Sequence, residues 1–451
     1  MSNIEIGFTG LGLLFTLILL RFPIGISMIG VSFAGIWFLV GERAAWAALG
    51  LIPQSFAAKW ALSSVPMFLL MGFVCYHTGL TKSLFDVARL WLSRLPGGLA
   101  VASVFGAAGF AAVTGSSVAC SATMGKIAVP EMTRCGYSPK LATGTVAAAG
   151  TIGALIPPSI LMILYGIIAQ VPIGKLFLGG LAVGLLTTFA YCAVIILQAT
   201  LDPKVAPRIE GGIPMKEKLD ALLTTWPLIL LVIGVFGGLF SGLFTPTEAG
   251  AVGAALAIII AMVKRSLTWQ NFWLSIRETL LTTATLFIIA IGASLLTRFL
   301  ALSGSGDFLA DTIIGFGADP LVLLIGITVV YLLMGMILDP LGAMLLTLPV
   351  LLPILEAGQF SLIWFGVLLT KYLEIGMITP PIGLNVFVIK GVVGAHSGQS
   401  GHLFRFIAAT ESGSLRPLPR LALWTARSTL LDGFLDVSTL AFRQARCRPS
   451  R

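Results

Sequence analysis

The chain has 451 residues, of which 57% are hydrophobic and only 10% are charged, and its net charge is +9. Soluble domains contain about 25% charged residues, so this composition excludes an ordinary soluble protein. It predicts that lipid surrounds most of the chain. More than half of the positive excess lies after position 394, so the charge gives no reason to expect a nucleic-acid partner.

Uncharged stretches recur along the chain, and a helix needs about 20 apolar residues to cross the hydrocarbon. By this measure we expect roughly eleven membrane-crossing or re-entrant segments. Glu5 precedes the first apolar run and Arg21 follows it, so we expect a retained first helix and not a signal peptide. The stretches 95–125 and 141–174 are too long for one straight helix, and Gly, Pro or small polar residues interrupt both.

Two polar loops, 202–220 and 264–277, are rich in Lys and Arg, which is typical of short cytoplasmic loops. The first of them is a natural linker between two halves of the chain. The organisation we predict is N-terminal scaffold helices (1–60), a first repeat with broken helices (61–200), a cytoplasmic linker (201–222), further scaffold helices (223–278), a second repeat with broken helices (279–394) and an atypical Arg-rich tail (395–451).

The two halves match at a constant offset of 223 positions. Ile152–Leu161 (I-G-A-L-I-P-P-S-I-L) matches Ile375–Leu384 (I-G-M-I-T-P-P-I-G-L) at five of ten positions. The same offset pairs Thr114-Gly115-Ser116-Ser117 with Ile337-Leu338-Asp339-Pro340. Each half therefore carries two breaks at equivalent places, which is a feature of secondary transporters with internal repeats.

Interrupted backbone at membrane depth is tolerated only where it is buried in protein or lines a cavity. Carbonyl groups freed at such a break can bind a cation, and freed N–H groups at a helix start can bind an anion. A single double proline is more often a simple kink, but its repetition together with a second break favours a binding site.

At these motifs the chain resembles the large membrane subunit, of the DctM type, of tripartite ATP-independent periplasmic (TRAP) transporters. The resemblance covers residues 1 to about 394. The matching segments are T-G-S-S-V-A (114–119), G-T-I-G-A-L-I-P-P-S-I (150–160), F-T-P-T-E-A-G-A-V-G-A (244–254), G-M-I-L-D-P (335–340) and E-I-G-M-I-T-P-P-I-G-L-N (374–385).

The resemblance implies an all-α, polytopic protein of the bacterial inner membrane, with two inverted repeats of re-entrant hairpins and broken helices. An elevator-type scaffold would carry a mobile transport domain. The implied function is sodium-coupled import of organic acids such as C4-dicarboxylates or sialic acid-like carboxylates. Na⁺ would be the coupling ion, without any cofactor, and the implied partners are a small four-helix membrane subunit, a periplasmic substrate-binding protein and membrane lipid.

The resemblance also assigns site residues. A first sodium site would use Thr114, Gly153, Ile156 and Pro157, and a second would use Gly335, Gly376, Thr379 and Ile382. The substrate-binding residues would be Thr114, Ser159, Ser117, Asp339 and Asn385. The family more often has Ser at position 114, so Thr114 is a departure that keeps the hydroxyl group.

Several of these residues have a purely structural alternative. Asp339 before Pro340 is also a typical helix N-cap, and Ser116 and Ser117 could cap a helix instead of binding a ligand. Glu248 in T-P-T-E-A-G is favoured as part of a helix start.

The tail departs from the family, whose members end in one more hydrophobic helix. Residues 395–451 are rich in Arg and Ser, and charges at the centre of a spanning helix cost about 2.5–3.5 kcal/mol each. We hypothesise that a shifted reading frame produced this segment, and resequencing the coding DNA tests that.

Three other functions compete with a binding-protein-dependent transporter. A stand-alone sodium/anion symporter of similar architecture would transport without partners, and a passive channel would not explain the paired breaks. An intramembrane enzyme would need a reactive set of residues, but His77 is the only histidine before residue 396. We therefore predict no catalytic residues and no metal site beyond sodium.

Overall fold

The computed structural model describes residues 2–207, 214–315, 320–336, 338–380 and 383–394. Every regular element in these ranges is a helix, which confirms the all-α prediction. The helices are α1 (Asn3–Leu19), α2 (Ile24–Val40), α3 (Glu42–Ala57), α4 (Ser64–His77), α5 (Lys82–Leu92), α6 (Gly98–Thr114), α7 (Ser117–Arg134), α8 (Pro139–Gly150), α9 (Ile160–Ile168), α10 (Ile173–Leu201), α11 (Met215–Thr224), α12 (Trp226–Val232), α13 (Gly238–Phe240), α14 (Pro246–Val263), α15 (Trp269–Ser303), α16 (Ser305–Gly315), α17 (Pro320–Gly335), α18 (Pro340–Ala357), α19 (Leu362–Gly376) and α20 (Leu384–Gly394).

Three shorter helical segments complete the described elements. Trp60–Ser63 and Thr151–Ala154 are 3₁₀ turns that precede α4 and follow α8. Ile233–Gly237 is a π-helical segment that joins α12 to α13. The glycines of this segment therefore lie where the helix geometry changes.

The described helices include enough apolar spans for a multi-pass membrane protein. Five runs are long and apolar enough to cross a bilayer, and a pair bent by 54°, Met215–Thr224 with Trp226–Phe240, makes a sixth. Five shorter apolar helices of 10–17 residues accompany them. This number of apolar segments agrees with the roughly eleven crossing or re-entrant segments expected from the uncharged stretches.

The predicted repeat appears in the helix boundaries themselves. Helix α7 runs from 117 to 134 and α18 from 340 to 357, so both ends lie 223 positions apart. Their N-caps, Ser116 and Asp339, are separated by the same offset. The starts of α8 and α19 and their N-caps, Ser138 and Ser361, repeat it again. The repeat in sequence is therefore a repeat of broken helices.

One predicted loop is shorter than expected. Helix α15 is continuous over 35 residues from Trp269, so most of the predicted loop 264–277 is helical, and the predicted repeat boundary at 278/279 falls inside a helix. The charge of Arg277 indicated a loop, but Arg277 lies on α15, and its neighbour Glu278 pairs with His77 Nε2 of α4 at 2.8 Å. The wider division into scaffold and repeats stays a prediction.

Two apolar cores hold the helices together. The larger joins α2, α4, α14 and α15 to α9, α18 and α19. The smaller lies among α6, α7, α8 and part of α10, and Ile389 of α20 belongs to it. Helix α20 packs on α7 and α8, so the end of the second repeat is seated on the first. The broken helices of both halves meet at this contact.

Candidate functional site

The first break separates α6 from α7 at Thr114-Gly115-Ser116. Gly115 ends α6 in the left-handed conformation, with φ +59°. A Cβ atom at Gly115 would lie only 2.0 Å from the carbonyl oxygen of Pro158. Position 115 therefore requires glycine for two reasons, which are the left-handed backbone conformation and the close approach of the double-proline segment.

The second break of the first half covers residues 151–159, all of which are buried. A Cβ atom at Gly153 would lie 2.8 Å from Ser116 O and 2.9 Å from Ser117 Cα. Ser159 caps α9 by accepting a hydrogen bond from Met162 N at 3.3 Å. The two breaks of the first half thus contact each other through main chain.

The breaks of the second half show the same arrangement. A Cβ atom at Gly376, the last residue of α19, would lie 2.6 Å from Gly335 Cα at the end of α17. Gly383 follows the double-proline segment with φ +54°. Both pairs of breaks therefore depend on glycine-to-main-chain contacts, although the two residues Pro381 and Ile382 lie outside the described ranges.

The two halves are joined by a buried hydrogen bond between Ser117 and Glu374. Ser117 Oγ of α7 donates to Glu374 Oε1 of α19 at 2.5 Å. Asn385 of α20 is fully buried nearby: a Cβ atom at Gly150 would lie 3.3 Å from Asn385 Nδ2 and 1.8 Å from Ser121 Oγ. Three helices, α7 of the first repeat and α19 and α20 of the second, thus bring polar side chains to this buried region.

The predicted threonine ligands have hydroxyl groups that remain able to bind a cation. Thr114 Oγ1 donates to Phe110 O at 3.1 Å and Thr379 Oγ1 donates to Ile375 O at 2.7 Å. Each hydroxyl oxygen keeps acceptor lone pairs after it has donated its proton. The carbonyl groups in the last turn of a helix also have no partner within that helix. The breaks therefore offer neutral oxygen ligands of the kind that hard cations prefer.

The structural alternatives weighed from the sequence are present in the structure. Asp339 caps α18 by accepting from Leu341 N at 3.3 Å and Gly342 N at 2.8 Å. Ser116 caps α7 by accepting from Ala119 N at 3.4 Å, and Thr245 and Glu248 form the capping box of α14. These bonds account for the residue types at the helix starts, but the ligand roles of Asp339 and Ser159 stay predictions.

The remaining predicted site residues are placed as follows. Thr114, Gly153, Ile156, Pro157 and Ser159 lie together at the first pair of breaks, and Gly335, Gly376 and Thr379 lie at the second. Ser117 and Asn385 lie between the two pairs, on the buried face of α7 and α20. Ile382 of the second predicted sodium site and the whole tail 395–451 lie outside the described residues.

Sequence reasoning gave no role to Glu374. It is a completely buried acid directly before the repeated segment Ile375–Leu384, in the motif E-I-G-M-I-T-P-P. The signal was available, since an ionisable residue inside a membrane segment is a functional candidate by default. Its partner could not be predicted, because Ser117 lies 257 positions away in the other repeat.

Comparison with known proteins supports the resemblance drawn from the motifs. The family described as "Tripartite ATP-independent periplasmic transporter, DctM component" matches residues 11–410. The chain is similar to the C4-dicarboxylate TRAP transporter large permease protein DctM of Pseudomonas aeruginosa, with 35% identity over 344 residues, which is 76% of this chain and 79% of that protein.

A second relative carries a different substrate name. The sialic acid TRAP transporter large permease protein SiaM of Vibrio cholerae is 31% identical over 390 residues, which cover 85% of this chain and 88% of that protein. Among solved structures, the YdaH transporter of Alcanivorax borkumensis matches with a TM-score of 0.57 and 16% identity, covering 80% of this chain and 84% of that one. The latter likeness concerns the fold alone.

The predicted family is thus confirmed by a match to nearly the whole chain, and the relatives named here are transporter permeases. The chain belongs to the DctM component family of the tripartite ATP-independent periplasmic transporters and is a multi-pass protein of the bacterial inner membrane.

Proposed function

We propose that this chain is the large membrane subunit of a sodium-coupled, binding-protein-dependent secondary transporter that imports organic acids. The observation that carries the proposal is the pairing of four helix breaks, two from each repeat, through contacts at Gly115, Gly153, Gly335 and Gly376. Broken helices in corresponding positions of two repeats are where secondary transporters bind substrate and coupling ions.

Sodium suits the chemistry of the breaks. The C-terminal ends of α6 and α17 direct the negative ends of their helix dipoles at the breaks. The threonine hydroxyls and main-chain carbonyls there carry no formal charge, and hard monovalent cations bind such oxygen sets. We assign Thr114, Gly153, Ile156 and Pro157 to one sodium ion.

The second sodium ion has an equivalent set of ligands at the other pair of breaks. We assign Gly335, Gly376, Thr379 and Ile382 to it, because the contact between Gly335 and Gly376 brings two helix ends together there.

An organic acid suits the first pair of breaks better than the second. Helices α7 and α9 both begin there, with the hydroxyl caps Ser116 and Ser159, and a helix N-terminus favours an anion. At the second pair the cap is the acidic Asp339, so a substrate contact at Asp339 would involve a part of the organic acid other than its carboxylate. We therefore place the substrate carboxylate near Thr114 and Ser159.

The partners and the motion follow from the family. The names of two relatives refer to C4-dicarboxylates and sialic acid, and we propose a carboxylate of this general class as the substrate. A small four-helix membrane subunit and a periplasmic binding protein would complete the transporter. The repeats would move against the scaffold helices as an elevator.

The test is uptake into liposomes that contain the chain and its small subunit, with the cognate binding protein and its ligand outside. We expect Thr379→Val to abolish sodium-driven uptake, because it removes a ligand oxygen with little change in size. The matched control is Thr370→Val within α19, whose Oγ1 also donates to the carbonyl four residues earlier, Gly366 O at 2.9 Å, but six residues before that helix ends at Gly376.

Three outcomes would oppose parts of the proposal. Wild-type uptake by Thr379→Val at low sodium contradicts the second sodium site. Uptake that ignores the sodium gradient contradicts the coupling. Uptake by this chain alone, without a binding protein, would show a stand-alone sodium/anion symporter instead.

A further inference from the structure

A charged pocket lies between α5 and the second half of α7, away from the helix breaks. Its volume is about 370 Å³, and its lining includes three basic side chains, Arg89, Lys126 and Arg134, and two acidic ones, Asp86 and Glu131. Charged side chains are rare in membrane proteins except where they have a partner or a function. A pocket with five of them therefore indicates contact with a polar ligand.

The acids of the pocket are already compensated, whereas one of its cations is not. Glu131 accepts a hydrogen bond from Arg89 through Oε1, and its Oε2 lies 3.5 Å from Arg134 Nη1. Asp86 is likewise not free of partners. Lys126 is exposed and makes no hydrogen bond or ion pair with the described part of the chain. The pocket therefore holds one positive charge, at Lys126, that no acid of the described chain balances.

The pocket lies on the side of the membrane that we predict to be cytoplasmic. The turn after α7 contacts the Lys-rich linker, because Ser138 N donates to Val205 O at 2.9 Å. Helix α5 contacts the other end of this linker, because Trp91 Nε1 donates to Lys218 O at 3.3 Å. Short loops rich in Lys and Arg stay in the cytoplasm, and the cytoplasmic surface of a membrane carries anionic lipids.

The position of Lys126 along α7 corresponds to the depth of the lipid headgroups. Lys126 lies nine residues after Ser117, the first residue of α7, which is about 13 Å along the helix. The broken helices of secondary transporters meet near the bilayer midplane, and the hydrocarbon extends about 15 Å to either side of it. The pocket is therefore close to the boundary between acyl chains and headgroups.

Helix α11, beside α5, offers apolar surface to acyl chains at the same boundary. It packs on α5 and is bent by 54° from the apolar run that follows it, so it does not continue that run across the bilayer. Its Met215, Leu219 and Leu223 are exposed, whereas Lys218 is buried against Trp91, with Nζ 5.8 Å from the ring centre. A helix that exposes apolar residues in this way is typical of the membrane surface.

We propose that Arg89, Lys126 and Arg134 form a binding site for an anionic phosphate group, which is that of a phospholipid headgroup or of a soluble phosphate compound. Lys126 supplies an ammonium group with three donors, and an arginine has five N–H donors, so both arginines keep donors after pairing with Glu131. Basic pockets on the cytoplasmic side of membrane proteins bind anionic headgroups. The exposed apolar residues of α11 favour the lipid as the source of the phosphate.

A headgroup in this pocket would hold α7 at the membrane surface. Arg89 belongs to α5, which precedes the first repeat's broken helices, and Lys126 and Arg134 belong to α7, which begins at the first break. The bound phosphate would therefore join these two helices through positive charges on both. None of the residues of this site belongs to the breaks themselves.

The test is native mass spectrometry of the purified full-length chain in detergent, titrated with phosphatidylglycerol or with zwitterionic phosphatidylcholine. We expect phosphatidylglycerol to bind more tightly. Lys126→Gln should weaken the tightest phosphatidylglycerol site about fivefold, as expected for the loss of one basic residue at an anionic membrane surface. Because Lys126 has no partner to lose in the described chain, this variant should fold, and Arg134→Gln provides a second variant with an expected effect in the same direction.

The control is Lys140→Gln, which removes an exposed lysine near the start of α8, outside the pocket. It should leave the affinity for phosphatidylglycerol unchanged. Inorganic phosphate, added as a competitor, separates the two sources of the ligand. Displacement of phosphatidylglycerol by phosphate supports a site for soluble phosphate compounds, whereas binding that phosphate does not displace supports the phospholipid.

The inference is overturned if phosphatidylglycerol and phosphatidylcholine bind the wild-type chain equally and phosphate displaces neither. It is also overturned if Lys126→Gln and Lys140→Gln change the affinity equally, since the effect is then one of diffuse surface charge. The experiment uses no organic acid, sodium gradient or binding protein, so its result does not depend on the proposed transport function.

Discussion

Replacing Gly115 with alanine should destabilise the protein more than the same change at any open left-handed glycine. A non-glycine residue in the left-handed conformation costs about 1–2 kcal/mol. The added methyl group would also lie 2.0 Å from Pro158 O, and relieving such an overlap in a packed interior costs about 1–3 kcal/mol. Together these terms predict a loss of roughly 2–5 kcal/mol.

Gly304→Ala is the matched control because Gly304 also ends a helix, α15, in the left-handed conformation, with φ +66°. Nothing lies within 4 Å of a Cβ atom at Gly304, so only the conformational term of about 1–2 kcal/mol should remain. The assay is reversible unfolding of the purified chain in mixed micelles by a denaturing detergent. Equal destabilisation by both variants would refute the close contact between the two breaks of the first half.

Three further predictions concern other contacts of the site and its helices. Gly376→Ala should lower the free energy of unfolding by about 1–3 kcal/mol because of its contact with Gly335. Its control is Gly391→Ala, at an open helical position, which should be neutral or stabilising by up to about 1 kcal/mol. Similar values for the two variants in the same unfolding assay would contradict the contact between Gly376 and Gly335. Asp339→Asn should keep the cap of α18 and leave the free energy of unfolding within about 0.5 kcal/mol of the wild-type value. A loss of uptake by this stable variant would show a role of Asp339 in ligand binding, whereas normal uptake would leave Asp339 as a helix cap only. Thr245→Ala should lower the free energy of unfolding by about 0.5–2 kcal/mol through the lost cap of α14, without changing sodium-driven uptake. A loss of uptake that this loss of stability does not explain would contradict the structural interpretation of this motif.

The sequence was sufficient to predict the membrane class, the paired breaks and the family. Charge is so costly in lipid that uncharged runs mark the membrane segments, and Gly and Pro mark the interruptions between them. The offset of 223 residues then placed the breaks in register, and the ends of α7 and α18 agree with it.

Other features could not be predicted because they depend on contacts between distant segments. The pairing of Ser117 with Glu374 joins the two repeats and has no local pattern. The predicted loop 264–277 extended too far because the charge of Arg277 suggested solvent, whereas α15 is continuous from Trp269 and the adjacent Glu278 pairs with His77 of α4. The family match ends at residue 410, within the atypical tail, whose origin in a shifted reading frame stays a hypothesis.

The most direct test of the central claim is equilibrium binding of radioactive sodium to the purified chain in detergent, without partners or substrate. The paired breaks predict saturable binding that Thr114→Val and Thr379→Val each reduce and that Thr370→Val leaves unchanged. Absence of saturable binding, or binding that neither of the first two variants affects, would contradict the assignment of the breaks as sodium sites.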